Sequence, residues 1–356
     1  MSWIGLRDAL GSRMFRPEGL DNTTRSTRSA DGFMPRGTIM VGFVNQPANV
    51  RRNLLRYGST DPWHSHLSLC IDPDGTVRVL MGQQELSMQY AMPTDLVRAE
   101  GQAILTFSWD GPTRRGQLSL RDAAGCETRM ELKGPLPMSL RDADRIVTHP
   151  RKSQMGHGVQ FVAIADTVEA VGPFATLPGA GLVETANGLR RIDELKAGTI
   201  VVTADGDLAQ VRWIGKQTLP AAGFITPQTI RSPYYGAVDD LTLMPLQKIE
   251  LIGSHVEYLF GSEHVFAAVG HVADGAEIVN ARTPSVVPYF AVLLDTHAVM
   301  RVSGVLMPSL DPAPFLNDPS LMAHSILRGL PFELLPRVAS LETPVLRQYE
   351  AATYAY

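Results

Sequence analysis

The stretch FATLPGAGLVETANGLRRIDELKAGTIVVTADGDLAQVRWIG (Phe174–Gly215) decides the fold of the second half of this chain. Asn187-Gly188 follows a short apolar strand, and Asn-Gly is the strongest short signal for a β-hairpin. Residues 199–203 lead into a second turn at Asp205-Gly206, and Gln210–Gly215 is predicted as a third strand. Helical periodicity is absent beyond a single turn, so the pattern predicts a compact β module.

The whole chain is long enough for two domains, with 356 residues of which 44% are hydrophobic. Its 31 glycines and 25 prolines favour many turns over long helices. The net charge of −4 comes without a basic block, which argues against a nucleic-acid partner. No apolar run reaches transmembrane length. The sequence does not indicate an oligomeric state.

The N-terminal sequence MSWIGLRDALGSRMF carries charges within its apolar part and lacks a small-residue cleavage site. It is therefore not predicted to be a secretory signal, and we expect a cytoplasmic protein or one exported by a signal-free route. Residues 1–36 are predicted to form an N-terminal arm. The polar run Asn22–Ser29 is typical of a flexible loop.

Short strands with turn signals between them continue from Thr38 to Val168 at a spacing of about ten residues. The turn Asp72-Pro73-Asp74-Gly75 has a physical basis, since proline presets φ and glycine accepts a positive φ. This pattern predicts a β-sandwich or jelly roll over residues 37–171. After residue 312 the pattern changes, and residues 316–356 are predicted as a short helical tail. Its helix begins after an Asp318 N-cap and ends near Gly329.

Several of these segments resemble a known family. The run from Gly188 to Gly206, the later VRWIG (211–215) and the closing VLRQYEA (345–351) resemble a Hint domain, the Hedgehog/intein self-processing fold, in its bacterial type 2 form. The likeness covers residues 172–352, with the Hint-like domain itself placed at 172–315. In the first half, IDPDGTVRV (71–79) and ILTFSWDG (104–111) resemble a concanavalin A-like or laminin-G-like sandwich. The chain is thus predicted to be all-β.

The Hint resemblance implies a self-cleaving site whose first residue is a cysteine in a motif similar to CFTPG. Such a thiol attacks the preceding carbonyl and forms a thioester. The matching residues here are PFATLPG (173–179), which we name the first motif, with one residue more than the family pattern. The cysteine position falls on Pro173 or Ala175, and neither can attack a carbonyl. Thr176 is the one hydroxyl available there, as a substitute nucleophile or as a simple loop residue.

The resemblance also implies a general-acid histidine in a motif similar to SPQHR. The matching residues are MPLQK (244–248), which we name the second motif. Met244 replaces the hydroxyl residue and Gln247 replaces the histidine, and glutamine does not change protonation state near neutral pH. Asp295 and His297 match a D-x-H of the family. They are either the relic of an active-site pair or a hydrogen-bonded structural pair at a strand end.

Metal sites have weaker signals. Asp72 and Asp74 are the candidates for a calcium site, but turn chemistry explains them equally, and calcium needs six or more oxygen ligands. His64 and His66 alternate after Trp63 and would need a third ligand such as Asp61 to hold a metal. Cys70 and Cys126 are predicted to be buried, inert thiols. No cofactor is expected.

Taken together, these features predict a degenerate, non-cleaving Hint protein that acts as a structural, interaction or binding module. The first alternative is active autoprocessing near residues 172–176, which would release the N-terminal sandwich. The second is lectin-like binding of a glycan or a protein by that sandwich. Both non-catalytic hypotheses therefore allow a protein or glycan partner.

Overall fold

The computed structural model describes residues 3–21, 32–336 and 341–354. Contacts divide the chain into two units. The first extends to Val171 and includes the short segments Ala222–Phe224 and Pro284–Val286. The second comprises Gly172–Ala221, Ile225–Thr283 and the residues from Val287 onward.

The first unit is built from two large antiparallel sheets. Its strands are β1 Trp3–Asp8, β2 Arg13–Phe15, β3 Phe33–Met34, β4 Arg36–Asn45, β5 Arg52–Ser59, β6 Ser65–Ile71, β7 Thr76–Gln83, β8 Leu86–Pro93, β9 Gly101–Asp110, β10 Arg115–Asp122, β11 Glu127–Lys133, β12 Met138–Ser139, β13 Ser153–Met155 and β14 Val159–Ala165. One sheet has the order β11-β10-β9-β4-β14-β1-β2, the other has β13-β5-β6-β7-β8, and β12 pairs with β3. Helix α1 covers Leu140–Thr148.

The two sheets share one apolar core, which makes this unit a β-sandwich. Leu105 and Phe107 of β9 belong to the same buried cluster as Leu67 and Leu69 of β6. These residues are two apart on their strands and so point to one face of each sheet. The sandwich predicted from the spacing of turns and strands is therefore confirmed. The turn at Asp72–Gly75 also has the expected form, with the Asp72 N–H bonded to the Thr76 carbonyl and Gly75 at a φ of 88°.

The N-terminal arm predicted for residues 1–36 is wrong where the structure describes it. Strand β1 pairs with β14 on one side and β2 on the other, and Trp3, Ile4 and Leu6 are buried. The charges that broke the apolar pattern are accommodated individually. Arg7, for example, is buried and donates to the Ser153 carbonyl at 3.0 Å. The flexible loop predicted at Asn22–Ser29 lies outside the described residues.

The second unit is also mainly β. Its strands are β15 Leu177–Pro178, β16 Leu182–Thr185, β17 Gly188–Arg191, β18 Ile200–Val202, β19 Leu208–Pro220, β20 Gln228–Ile230, β21 Leu241–Leu243, β22 Lys248–Ile252, β23 His264–Ala268, β24 Ile278–Asn280, β25 Val286–Leu294, β26 Val299–Val302 and β27 Val305–Pro308. The main sheet has the order β15-β25-β19-β18-β16-β26-β27, with β17 paired to β16. Two smaller sheets are β21-β20-β24 and β22-β23.

The helices of the chain are short. After α1 come α2 Ser254–Phe260, α3 Ala313–Asn317 and α4 Gln348–Tyr354. Short 3₁₀ helices cover Leu96–Arg98, Ile192–Glu194, Gly223–Ile225, Tyr234–Gly236, Val269–His271, Pro319–His324 and Phe332–Leu334. The mainly β fold expected from the sequence is thus confirmed. Among the helices of the described residues, none is long and apolar enough to cross a membrane.

The β module predicted around Asn187-Gly188 forms as expected. Strands β16 and β17 make a hairpin in which Thr185 pairs with Gly188, and Gly188 takes a φ of 93° that only glycine adopts readily. The Thr185 hydroxyl closes the turn by donating to the Gly188 carbonyl at 2.6 Å. The third predicted strand, Gln210–Gly215, lies within the longer β19.

The C-terminal residues differ from the predicted separate tail, because they belong to the cores of the second unit. The Leu346 N–H donates to the Phe266 carbonyl at 2.7 Å, and Leu346 and Ala351 are buried in its main cluster. Asp318 caps as expected by accepting from the Ser320 N–H, but the helix it begins is a short 3₁₀ helix that ends at His324. Residues 337–340 lie outside the description.

One cysteine departs from its predicted burial. Cys70 is buried in β6, and burial raises the pKa of its thiol. Cys126, however, is exposed. It precedes β11 in a turn where its N–H donates to the Asp122 carboxylate at 2.8 Å, so alternation along a strand does not apply to it.

We expect Gly37→Ala to destabilise the sandwich by about 1–3 kcal/mol, the usual cost of overpacking. A Cβ at this position would lie 2.2 Å from the indole ring of Trp109. That ring is fully buried and donates to the Met34 carbonyl at 2.9 Å, so it cannot move without breaking a hydrogen bond. The measurement is urea unfolding followed by tryptophan fluorescence.

Gly58→Ala is the matched control, because a Cβ at Gly58 would have no atom within 4 Å. Gly58 lies in a strand of the same unit, and its replacement should leave the urea midpoint unchanged or raise it slightly. Equal midpoints for the two variants would contradict the packing assigned to Trp109.

Candidate functional site

The first motif is held against the main sheet of the second unit. Leu177 and Pro178 form β15, where Leu177 pairs with Phe290 of β25. Ala175 is fully buried, and its N–H donates to the Gln217 side-chain oxygen at 3.1 Å. Pro173 is partly buried and lies ahead of this fixed segment. The backbone of the motif is therefore positioned by hydrogen bonds on both sides of Thr176.

The second motif is a buried turn that leads into β22. The Gln247 N–H donates to the Met244 carbonyl at 2.9 Å, and the Gln247 carbonyl accepts from the Val269 N–H at 2.9 Å. Met244 is completely buried, and Gln247 is only 2% exposed. Lys248 follows as the first, exposed residue of β22.

The structure brings the two motifs into direct contact. The Thr176 hydroxyl donates to the Gln247 side-chain oxygen Oε1 at 2.6 Å. The amide nitrogen Nε2 of the same side chain donates to the Lys248 carbonyl at 2.6 Å. Thr176 is thus the first-motif residue whose side chain meets the second motif, and both polar ends of the Gln247 side chain are used.

Asp295 and His297 have separate partners. Asp295 is bound to β19, because its carboxylate accepts from the Gln210 N–H at 2.8 Å and its own N–H donates to the Gln210 carbonyl at 2.9 Å. The His297 Nδ1 instead lies 3.7 Å from the Asp311 carboxylate. These contacts attach Asp295 to β19, whereas His297 lies beside a different carboxylate, that of Asp311.

His297 lies in a buried and electrostatically mixed place. Its side chain is 6% exposed, and this burial lowers the pKa of the imidazole. The Asp311 carboxylate acts in the opposite direction, while the positive charge of Lys248 lowers the pKa further. The charge of Lys248, the last residue of the second motif, therefore affects the pKa of His297, and the neutral form of the imidazole is favoured.

Two residues of this region were missed by the sequence analysis. Gln217 is buried near the end of β19, and its side-chain oxygen accepts a hydrogen bond from the Ala175 N–H. Asp311 caps the chain before α3 by accepting from the Ala313 N–H at 2.9 Å. The Asp-Pro step at residues 311–312 is a turn signal, but it gives no indication that the carboxylate lies beside His297.

The candidate calcium ligands are engaged by other groups. Asp72 accepts from Arg51 at 2.6 Å and also from Arg78, and these bonds, led by that from Arg78, hold the pKa of its carboxyl below the usual value. Asp74 accepts from the Thr76 N–H at 2.9 Å, which is the geometry of a turn cap. Both carboxylates therefore have structural partners.

The alternating histidines also lie close together. The His64 and His66 rings are 5.5 Å apart between centroids in an edge-to-face arrangement. Burial and the neighbouring His64 lower the pKa of His66. The third ligand considered, Asp61, is paired with Arg145 at 2.7 Å. The described residues contain no group of three or more side chains that could hold a metal ion.

One family model matches part of the second unit. Residues 177–314 match the family model described as a Hint domain. The resemblance noted in the sequence is confirmed for this range, which includes Gln247, His297 and Asp311. The match begins one residue after Thr176, so the first-motif positions Pro173, Ala175 and Thr176 lie outside it. No curated protein sequence matches the chain.

Two solved structures illustrate a distant similarity to this chain. The sialidase carbohydrate-binding module CBM40 of Ruminococcus gnavus, bound to α2,6-sialyllactose, is 14% identical, with 37% of this chain and 76% of that chain covered and a TM-score of 0.27. The NanB sialidase of Streptococcus pneumoniae is 10% identical, with 50% and 32% covered and a TM-score of 0.28. At these scores the similarity carries no argument about function.

We expect calcium to leave the melting temperature of the protein unchanged, because Asp72 is engaged by two guanidinium groups and Asp74 by a backbone N–H. A ligand at a hundred times its dissociation constant would add about 2.7 kcal/mol of stability, which a thermal melt detects readily. The measurement is differential scanning fluorimetry with and without millimolar calcium. A rise of several degrees that disappears in Asp74→Ala would establish a calcium site instead.

Proposed function

We propose that the Hint domain of this chain does not cleave itself and acts as a structural or interaction module. The observation that carries the proposal is the hydrogen bond from the Thr176 hydroxyl to Gln247 Oε1. It joins the one hydroxyl of the first motif, which is next to the positions that match the family's cysteine, to the position that matches the family's histidine. Neither side chain there performs the chemistry that self-cleavage needs.

Self-cleavage requires two proton movements. The attacking group must lose a proton to a base, since an alcohol is a weak nucleophile at its ordinary pKa. The departing backbone nitrogen must then receive a proton from a general acid. An amide side chain accepts a hydrogen bond but takes up no proton near neutral pH. Gln247 therefore orients the Thr176 hydroxyl without activating it.

The rival is slow self-processing with Thr176 as nucleophile and His297 as base. Burial lowers the pKa of His297, which favours the neutral form that a base needs. Its Nδ1 faces Asp311, however, whereas the Thr176 proton points to Gln247. The rival requires both side chains to exchange these partners, so the observed contacts favour the non-cleaving module.

A second candidate function belongs to the sandwich unit, which we propose as a saccharide-binding module. It contains a cavity of about 500 Å³. This volume is within the range of small-molecule sites. Three amide side chains line it, from Gln46, Asn53 and Gln154. Amides both donate and accept hydrogen bonds, as the hydroxyl groups of a sugar require.

The non-cleaving proposal predicts that the purified chain stays whole, as a single species of 38.8 kDa. Incubation with a thiol or with hydroxylamine should not change its mass, because Gln247 supplies neither base nor acid. The measurement is intact-protein mass spectrometry over several days. Hydroxylamine also breaks Asn-Gly bonds, so a fragment that begins at Gly188 is scored separately.

The rival predicts fragments of about half the chain mass, with a new N-terminus at Thr176. Such fragments, absent from Thr176→Ala and from His297→Gln, would establish self-processing. Fragments that persist in Thr176→Ala would point to contaminating proteolysis.

Restoring the reacting groups should restore some cleavage. In the double variant Thr176→Cys with Gln247→His, the thiol replaces the hydroxyl that now lies 2.6 Å from the second motif. The thiolate would attack the Ala175 carbonyl, the peptide C–N bond would break, and the imidazolium would protonate the nitrogen. We expect slow, partial cleavage that depends on added thiol, measured by mass spectrometry.

Ala175→Cys with Gln247→His is the matched control, and we expect it to cleave less or not at all. Ala175 is buried and its own N–H is tied to Gln217, so the structure gives its side chain no contact with Gln247. Cleavage only in this second variant would show that Ala175 is the position of the lost cysteine.

A further inference from the structure

The cavity of the sandwich unit lies where β5 and β13 meet the loop that follows β4. Its walls are formed by Val44, Gln46, Pro47, Ala48, Val50, Arg51, Arg52, Asn53, Arg56, Gln154, Met155, Gly156 and His157. The lining therefore combines apolar side chains with amides and cations. All of these residues belong to the first unit.

The lining carries an excess of positive charge. Three arginines contribute to it, and no aspartate or glutamate is present among these residues. Arg51 is neutralised by Asp72, which approaches it at 2.6 Å. Within the described part of the chain, neither Arg52 nor Arg56 has a carboxylate partner.

Arg52 is the more enclosed of these two cations. It is partly buried, and its guanidinium bonds to the neutral side-chain oxygen of Asn45. Burial without a counter-ion lowers the pKa of Arg52, which indicates that its charge is incompletely solvated. An anion in the cavity would stabilise that charge.

Arg56 is the more accessible cation and lies on the outward face of the sheet. It pairs directly with Gln154 of β13 across the strands, and both side chains are exposed. A guanidinium presents a planar fork of donors that fits a carboxylate or sulfate group. The neighbouring Gln154 amide supplies a donor and an acceptor beside that fork.

Gly156 allows two backbone segments to approach closely at the site. Its N–H donates to the Leu54 carbonyl at 2.9 Å, and a Cβ here would come within 1.6 Å of the Asn53 carbonyl oxygen. Only glycine allows β13 and β5 to approach this closely. The arginines and amides of the cavity lining therefore surround a place where the two backbones are in close contact.

From this arrangement we infer that the cavity binds an acidic saccharide, whose carboxylate or sulfate group is held by Arg56 and Arg52. Gln46, Asn53 and Gln154 would bind its hydroxyl groups, and Pro47, Val50 and Met155 offer apolar surface to its C–H faces. The inference rests on the second proposed function, saccharide binding by the sandwich. It does not depend on whether the Hint domain cleaves.

The test is isothermal titration calorimetry of the full chain at low salt with four probes: galacturonate, galactose 6-sulfate, galactose and inorganic sulfate. We expect at least one acidic sugar to bind at least about tenfold more tightly than galactose or sulfate, because a charge-assisted hydrogen bond outweighs a neutral one. Added salt should weaken that binding. Whichever acidic sugar binds identifies the anion.

The variant Arg56→Gln should weaken binding of the acidic sugar at least about tenfold and leave galactose unaffected. Because Arg56 is exposed and unpaired among the described residues, the variant should fold, as circular dichroism can verify. Arg115→Gln is the matched control. Arg115 is exposed on β10 of the other sheet, does not line the cavity, and should be replaceable without effect.

Each other outcome has a distinct meaning. Galactose binding as tightly as the acidic sugars, unchanged in Arg56→Gln, overturns the assigned anion but leaves saccharide binding intact. Sulfate binding as tightly as the sugars reduces the site to a simple oxyanion site and overturns the saccharide. No binding of any saccharide at about 10 mM overturns both the inference and the second proposed function.

Discussion

The second unit depends on a buried amide whose four polar atoms each have a hydrogen-bond partner. Gln247 is 2% exposed, so each of its polar groups must be satisfied inside the protein. Its backbone is bound by Met244 and Val269, and its side chain by Thr176 and Lys248. One residue thus ties the segment before β15 to the start of β22. Losing any of these bonds would leave a buried polar group unpaired, at a cost of about 1–3 kcal/mol.

Much of the fold was predictable from the sequence because its signals are local. The Asn187-Gly188 hairpin and the Asp72–Gly75 turn follow from the φ preferences of a few residues, and the structure has both. Strand β1 was missed for the opposite reason. Arg7 interrupts its apolar pattern, and the Ser153 carbonyl that accepts from this arginine comes from a distant part of the chain. A pairing of that kind leaves no local trace.

The candidate site was predictable in its components but not in its contacts. The resemblance to the Hint family implied that residues 173–176 and 244–247 belong together, and the structure joins them through Thr176 and Gln247. Spacing could not show that Thr176, rather than Ala175, provides the contact. Nor could it separate Asp295 from His297, because both lie in the segment between β25 and β26, where the two-residue alternation of a strand does not hold. The cavity of the sandwich could not be predicted from the sequence either. Arg56 and Gln154 are neighbours there only because β5 pairs with β13.

The interior of the second unit disfavours a charged imidazole. Burial lowers the pKa of His271 as well as that of His297, although His297 has Asp311 nearby. A histidine at position 247 would meet the same conditions, since the side chain there is almost completely buried. It would serve as a proton acceptor more readily than as a proton donor. Glutamine avoids this conflict, because it satisfies the same buried partners and stays neutral at every pH near neutrality. Under the proposed non-cleaving function, the residue that stabilises the junction of the two motifs is therefore also the residue that withholds the proton that cleavage would need.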